Sequence, residues 1–410
     1  MKSEPVGGVV AEYNPFHNGH LRLLAEVRRN MPEAPVAVVL SSNFTQRGMP
    51  AVADKWTRAK MALTSGADLV LELPFIFSCN AAPEFAAGAI DILARTNFVT
   101  HLCFGVEDLN FDANAILNIL IQESDSFKRR LKKNLSLGQS YPKSIALALE
   151  VETPGSARYL SSPNNSLGLS YLLHVKRKGY PLHPLPIERK GAGYHDLTLE
   201  ALPSFPSATS VRAALARNES DDALAGAVPP SVLALLRQTR ESGRLCLGTA
   251  KLWTLLQGLL LRSSPSDLRC VAGMDEGLEN LFLRHQGAES YQEFIGRCVC
   301  ARYTRGRLQR QAARLLVGFG RWEAAAFSRL GPPYIRVLGF NEKGRKILRE
   351  RGKDASLPLI SRLPAAYKAG PTARAAAEME FRASRLYELL LEAPDFEREA
   401  RATPSVSSSD

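Results

Sequence analysis

Val6-Gly7-Gly8-Val9-Val10-Ala11-Glu12-Tyr13-Asn14-Pro15-Phe16-His17-Asn18-Gly19-His20 is the stretch whose reading decides the fold. Its first six residues form an apolar run of the kind found in a strand buried on both faces. Proline at 15 keeps Asn14 extended, and a helix is expected to open at Asn18 or Gly19, with Asn18 as its N-cap. The free backbone N–H groups and positive dipole end of that helix would then face the strand's carboxyl edge, a place where anions bind. His17 and His20, three apart, share one helical face. Two imidazoles at one spot suit the charge that develops on a phosphate under attack. Gly19 lets a nucleotide lie against the backbone. A metal pair or two ordinary surface histidines is the alternative, but strand, turn, cap and glycine agree on the phosphate.

Outward from this stretch, β-branched runs alternate with helical patterns, which predicts βαβ units and a doubly wound parallel α/β sheet. Strands are expected at 6–11, 36–40, 68–72, 101–104 and about 182–187, with helices around 19–30, 53–65, 82–95 and 164–178. Residues 111–150 read as a helical insertion. Past Arg240-Glu241-Ser242-Gly243 the pattern turns mainly helical. This gives a catalytic domain over 1–240 and a helical one over 241–391 that contains a strand at Tyr334–Phe340. The stretch 392–410, ending in Ser-Val-Ser-Ser-Ser-Asp, reads as a disordered tail.

The chain has 410 residues, 45% of them hydrophobic, with no run long enough for a membrane span. The first strand follows the N-terminus directly, with no leader pattern, and the six cysteines are scattered, so a reduced cytoplasmic protein is expected. Cys298-Val-Cys300 lacks a second ligand pair, so no metal site is expected. Net charge is +11, of which the first 200 residues carry +2 and the remainder +9. That asymmetry suggests catalysis in one half and polyanion binding in the other.

Ser207-Ala208-Thr209-Ser210-Val211-Arg212 crowds hydroxyls at a helix start with an arginine in the first turn or so. Alone it reads as a capped helix. With the upstream histidines it brackets a triphosphate, as in adenylyl-transferring enzymes of the HIGH superfamily, Arg212 gripping phosphate with its planar fork. In the basic half, Arg302, Arg305, Arg307, Arg310 and Arg314 surround Tyr303 with no acid beside them in sequence, which favours RNA. Lys128-Arg129-Arg130 and Lys132-Lys133 form a second basic cluster. A solvated helix face is the alternative for both.

The first motif and Asn43-Phe44-Thr45-Gln46-Arg47-Gly48 resemble the bacterial tRNA(Met) cytidine acetate ligase family. So do Ser162–Gly168, Gly191–Asp196, Ser207–Ser210, Gly277–Asn280 and Val337–Gly344. The resemblance implies a nucleotidyltransferase (HUP/Rossmann-like) sheet. It also implies an enzyme that makes acetyl-adenylate from ATP and acetate, then acetylates the wobble cytidine of elongator tRNA(Met) to N4-acetylcytidine. The ATP site so implied comprises Val10, Ala11, Glu12, Tyr13, Asn14, Pro15, Phe16, His17, Asn18, Gly19 and His20, continuing to about Leu23, with Gly105, Asn165 and Arg189. His17 and His20 would hold the phosphates, Arg212 with Ser207, Thr209 and Ser210 the leaving pyrophosphate, and Mg2+ would shield the charge. Valine at 106 replaces the family's usual serine. Asn165 could equally be a helix cap, and Gly191–Asp196 a lid. Two readings stay open beside this one: a small-molecule adenylyltransferase, and a non-catalytic RNA-binding protein on a degenerate nucleotidyltransferase domain.

Overall fold

β1 (Gly7–Ala11) lies in the interior of an eight-stranded sheet in a computed structural model that describes residues 4–110, 112–189 and 207–407. With β2 (Val36–Ser41), β3 (Leu69–Leu73), β4 (His101–Val106) and β5 (His183–Glu188) it forms a parallel block in the order β5-β4-β1-β2-β3. Every residue of β2 and β3 is buried, because helices cover both faces. Helix α1 (Asn18–Asn30) follows β1 and α2 (Lys55–Leu63) follows β2. Between β4 and β5, helices Ala113–Gln122, Asp125–Ser136 and Tyr141–Glu150 enclose a small core of their own around Ile116, Phe127 and Leu149. No helix among the described residues is long and apolar enough to cross a membrane.

The second half does not fold apart from this sheet. The strand expected inside a separate helical domain is β6 (Ile335–Phe340), and it pairs antiparallel with β3, Leu69 opposite Phe340. Its apolar run needs cover on both faces, and the edge of β3 offers unpaired backbone groups as well as that cover. β7 (Leu359–Ile360) and β8 (Ser405–Val406) then pair parallel with β6. Gly344 permits the approach of the next helix, since a Cβ there would lie 2.0 Å from the Asp68 carbonyl oxygen. The segment expected to be a disordered tail instead carries helix Arg398–Arg401 and β8, and buries Glu399. Boundaries drawn at 240 and 391 thus cross one continuous sheet.

Five buried charges tie these parts together. Lys55 Nζ donates to Glu72, to Glu380 at 2.7 Å and to Glu399 at 2.8 Å. Arg336 also donates to Glu399 and reaches Glu72 at 3.2 Å, its guanidinium over the Trp56 ring. Glu380 further accepts from the Phe75 amide at 2.7 Å and from Ser42 Oγ. Three acids face two bases. Burial, helped by the neighbouring carboxylates, pushes Glu72 up to about 7 against the pull of Lys55 and Arg336. Lys55 stays charged because the three carboxylates outweigh its burial. Stranding buried carboxylates without a cation costs about 3–5 kcal/mol. We therefore expect Lys55→Met to lose about that much in urea unfolding. Glu72→Gln, which neutralises the acid already closest to protonation, should lose much less. Equal losses would show that the cluster is not charge-imbalanced.

Candidate active site

The chain leaves β1 toward β2 on one side and returns to β4 on the other, so the carboxyl ends of β1 and β4 open a crevice where such sheets bind ligands. Glu12–His17 fills its mouth. Tyr13 has a left-handed φ of 45° and the Asn14–Pro15 peptide is cis. Asn14 Oδ1 accepts from the Val52 amide at 2.7 Å, and its carbonyl accepts from Arg212 Nη1 at 2.6 Å. The Tyr13 ring meets Phe16 and His20 edge-on, with centroids 4.6 and 4.9 Å apart. Beneath the turn, fully buried Arg58 donates to the carbonyls of Glu12 and Ser42, each at 2.6 Å. Nothing in the sequence singles Arg58 out, because its role depends on where two strands end in space.

His17, not Asn18, caps α1. Its Nδ1 accepts from the Gly19 amide at 3.0 Å, while His20 Nδ1 accepts from the His17 amide at 3.2 Å. Asn18 is the first helical residue, and its amide and side chain are spent on Ala227 and Gly226. The amides of His20 and Leu21 bond the His17 carbonyl. The expectation of free amides at this helix start is therefore corrected: the first-turn N–H groups already have partners. What replaces them follows from the caps. A ring nitrogen that accepts carries no proton, so each neutral imidazole keeps its hydrogen on Nε2, as a donor. The two rings stack at 3.7 Å. Burial, then the charges of Arg189 and Arg212, push His17 down to about 3. Burial, then His17 and Arg189, hold His20 well below its ordinary value. Two stacked neutral donors with arginines nearby make a site for an anion.

The other expected residues fall into place unevenly. Val10 and Ala11, the last residues of β1, are half-buried. Gly105 is the penultimate residue of β4, where a Cβ would lie 2.8 Å from the Arg189 side chain; the glycine lets that arginine cross the strand. Val106 is buried against the helix Pro163–Lys178, so a core valine stands where a phosphate-facing hydroxyl was in question. Asn165 does not cap that helix, whose N-cap is Ser162. It is buried, accepts from the Glu107 amide at 2.8 Å and donates to the Tyr159 carbonyl at 3.2 Å. Ser207 caps helix Ala208–Ala216 by accepting from the Ser210 amide at 3.1 Å, and Ser210 Oγ returns to the Ser207 carbonyl. Thr209 Oγ1 accepts from Arg212 Nη2 at 3.1 Å. The Gly191–Asp196 loop lies outside the described residues.

Glu12 joins this site to a second one. Its carboxylate accepts from the Gln46 amide at 2.6 Å, and burial raises it above the ordinary glutamate range. The Gln46 carbonyl in turn receives Arg310 at 3.5 Å. Gly48, at φ 83°, is where a Cβ would lie 2.5 Å from the backbone of Gln309 and Arg310. Gln46 and Arg310 both line a cleft of about 1,380 Å3 between the helical insertion and residues 269–331. The arginine stripe borders this cleft, but the absence of acid is corrected: Arg307 pairs with Asp275 and Glu276 at 2.9 and 3.2 Å, and Arg302 with Glu276 at 3.3 Å. Arg314 is buried and donates to Asn80 at 2.6 Å, a structural role. Arg305 is exposed.

Because the native fold holds His17 neutral while an unfolded chain protonates it near 6.5, its contribution to stability is complete above pH 6.5 and is lost as pH falls toward 3. We expect His17→Asn, which keeps a capping oxygen, to flatten the acid-side stability slope between pH 6 and 5 by about 1.4 kcal/mol per pH unit. Unchanged slopes in urea titrations would refute the neutral, buried assignment.

Known proteins share the sequence and the fold. The HIGH Nucleotidyl Transferase family model matches residues 5–402. A tRNA(Met) cytidine acetate ligase of Lysinibacillus sphaericus is 36% identical over 390 residues, 94% of each chain. One from Acetivibrio thermocellus is 35% identical over 401 residues, covering 95% of this chain and 96% of its own. The apo crystal structure of Thermotoga maritima TmcAL superposes with a TM-score of 0.92 at 29% identity, covering 99% of this chain and all of that one. The form bound with alpha-thio ATP gives 0.88 with the same coverage. This chain belongs to the tRNA(Met) cytidine acetate ligase family of HIGH nucleotidyltransferases.

Proposed function

We propose that the chain is an ATP-dependent ligase that joins acetate to the wobble cytidine of elongator tRNA(Met). The observation that carries this reading is the pair of neutral imidazoles at the switch point of the sheet, each capped at Nδ1 and left with an Nε2–H donor. In the first step an acetate oxygen attacks the α-phosphorus of ATP and the bond to pyrophosphate breaks, giving acetyl-adenylate. His17 and His20 donate to phosphate oxygens. Arg189 and Arg212 balance the charge, Arg212 from a helix start fixed by Ser207, Thr209 and Ser210. No side chain acts as nucleophile, so catalysis is positioning and charge stabilisation. In the second step the cytidine N4 attacks the acetyl carbonyl, AMP leaves with the electron pair of the broken bond, and N4 loses a proton.

Mg2+ would arrive on the triphosphate. The one compact carboxylate trio among the described residues, Glu72, Glu380 and Glu399, already closes on Lys55 and Arg336, so the protein supplies no separate cage there. The acceptor RNA would occupy the cleft that meets the nucleotide site at Gln46, in a cytoplasm that keeps the six free cysteines reduced.

Labelled acetate, ATP, Mg2+ and bacterial tRNA, followed by digestion and mass spectrometry, should yield label in cytidine that depends on ATP. A stable dinucleotide made without RNA would favour a small-molecule adenylyltransferase instead. His20→Ala should cut acetate-dependent pyrophosphate release at least a hundred-fold, on the order of what one oxyanion donor contributes, and leave tRNA affinity within about two-fold. Equal loss of both would remove the division between the two sites. Arg305→Ala should weaken tRNA binding and lower the salt slope by about one. An unchanged slope would return Arg305 to ordinary surface.

A further inference from the structure

We infer that Trp322 is a stacking platform for an unpaired base of the RNA acceptor; the inference rests on the RNA-modifying reading above. Trp322 is 81% exposed in the first turn of helix Arg321–Leu330, whereas Trp56 and Trp253 are buried at 4% and 5%. Leaving so large an apolar surface in water forgoes its burial energy, and here the ring borders the cleft that Gln46, the partner of Glu12, also lines. From the insertion wall of the same cleft Tyr141 is 56% exposed. Arg321, Arg329 and Lys128 line the same cleft and form no ion pair among the described residues, and although Glu84, Asp91 and Glu123 also line it, the cations of its lining outnumber the acids. Exposed rings and unpaired cations lining one cleft are what a single-stranded polyanion with flat bases requires.

The chemistry of the acceptor supplies the occupant. The cytidine N4 that attacks acetyl-adenylate is also the Watson–Crick donor of that base, so the target must be unpaired when it reacts. Drawing it into a site breaks its stacking with the flanking base. An aromatic face outside the nucleotide site can take up that flanking base, which offsets the loss and fixes the register of the loop.

The full-length protein tests this without a label, because Trp322 is the one solvent-exposed tryptophan of three. Acrylamide should quench a fluorescence component that is missing in Trp322→Phe, and saturating elongator tRNA(Met) transcript should shield that component. Trp322→Ala should weaken tRNA affinity about five-fold or more, the low end of what one stacked base contributes, and Trp322→Phe should restore most of it. Acetate-dependent pyrophosphate release without RNA should stay unchanged in both variants, which confirms that they fold. If wild type binds tRNA while Trp322 stays open to acrylamide and Trp322→Ala binds within two-fold of wild type, stacking is overturned and the ring belongs to some other contact. If wild type binds no tRNA at all, the RNA reading itself fails, and the stacking inference with it.

Discussion

Lys55 and Arg336, sealed among Glu72, Glu380 and Glu399, are the constraint on which the rest of this molecule depends. The five residues come from α2, β3, β6 and two helices near the end of the chain. None of these charges could remain buried without the others, so the nucleotide-binding sheet and the last seventy residues must assemble together. A buried ion cluster of this kind is weak evidence for extra stability, since well-packed apolar side chains do as well. What it supplies is registry. Only one docking of the C-terminal helices brings two carboxylates onto Lys55 Nζ, and the same docking sets β6 against β3.

Registry matters because the turn that carries His17 has little strength of its own. It is held through the Asn14 side chain by Val52 and through its carbonyl by Arg212, under Glu12 by Arg58, and through the Asn18 side chain and amide by the Gly226 and Ala227 carbonyls. Each of these contacts reaches across from another element. The histidines are thereby preset: helix capping fixes the tautomer, stacking fixes the ring planes, and desolvation keeps both rings uncharged. An imidazolium pair 3.7 Å apart would repel itself when no anion is present. A neutral pair waits without that cost.

Much of this was legible in the sequence. The apolar run at 6–11, the proline turn and the His-x-x-His spacing placed the strand, the helix and the paired histidines at its start. The alternation of β and α patterns gave the parallel block. The failures share one physical cause, which is contact between residues far apart in the chain. Ala227 occupying the first-turn amide of Asn18, Glu276 opposite Arg302 and Arg307, and Glu399 buried on Lys55 and Arg336 all depend on three-dimensional closure. Local composition misread the serine-rich end because one buried glutamate, Glu399, ties the segment down against the run of small polar residues around it. It misread the stripe of Arg307, Arg310 and Arg314 because helical spacing shows that side chains share a face, but not whether that face meets water or protein.

Between Glu12 and Arg310 lies a single short loop, with Gln46 bonded on both sides and Gly48 pressed against the helix behind it. In evolutionary terms this loop removes modularity. In a two-module enzyme the acceptor-binding part could be exchanged for another and the activating part left alone. Here a substitution that shifts helix Arg305–Val317 also shifts the amide that holds Glu12, and so the floor of the nucleotide site. With the acceptor in the cleft, as proposed, new specificities would arise by gradual change along its rim and not by recombination of whole domains.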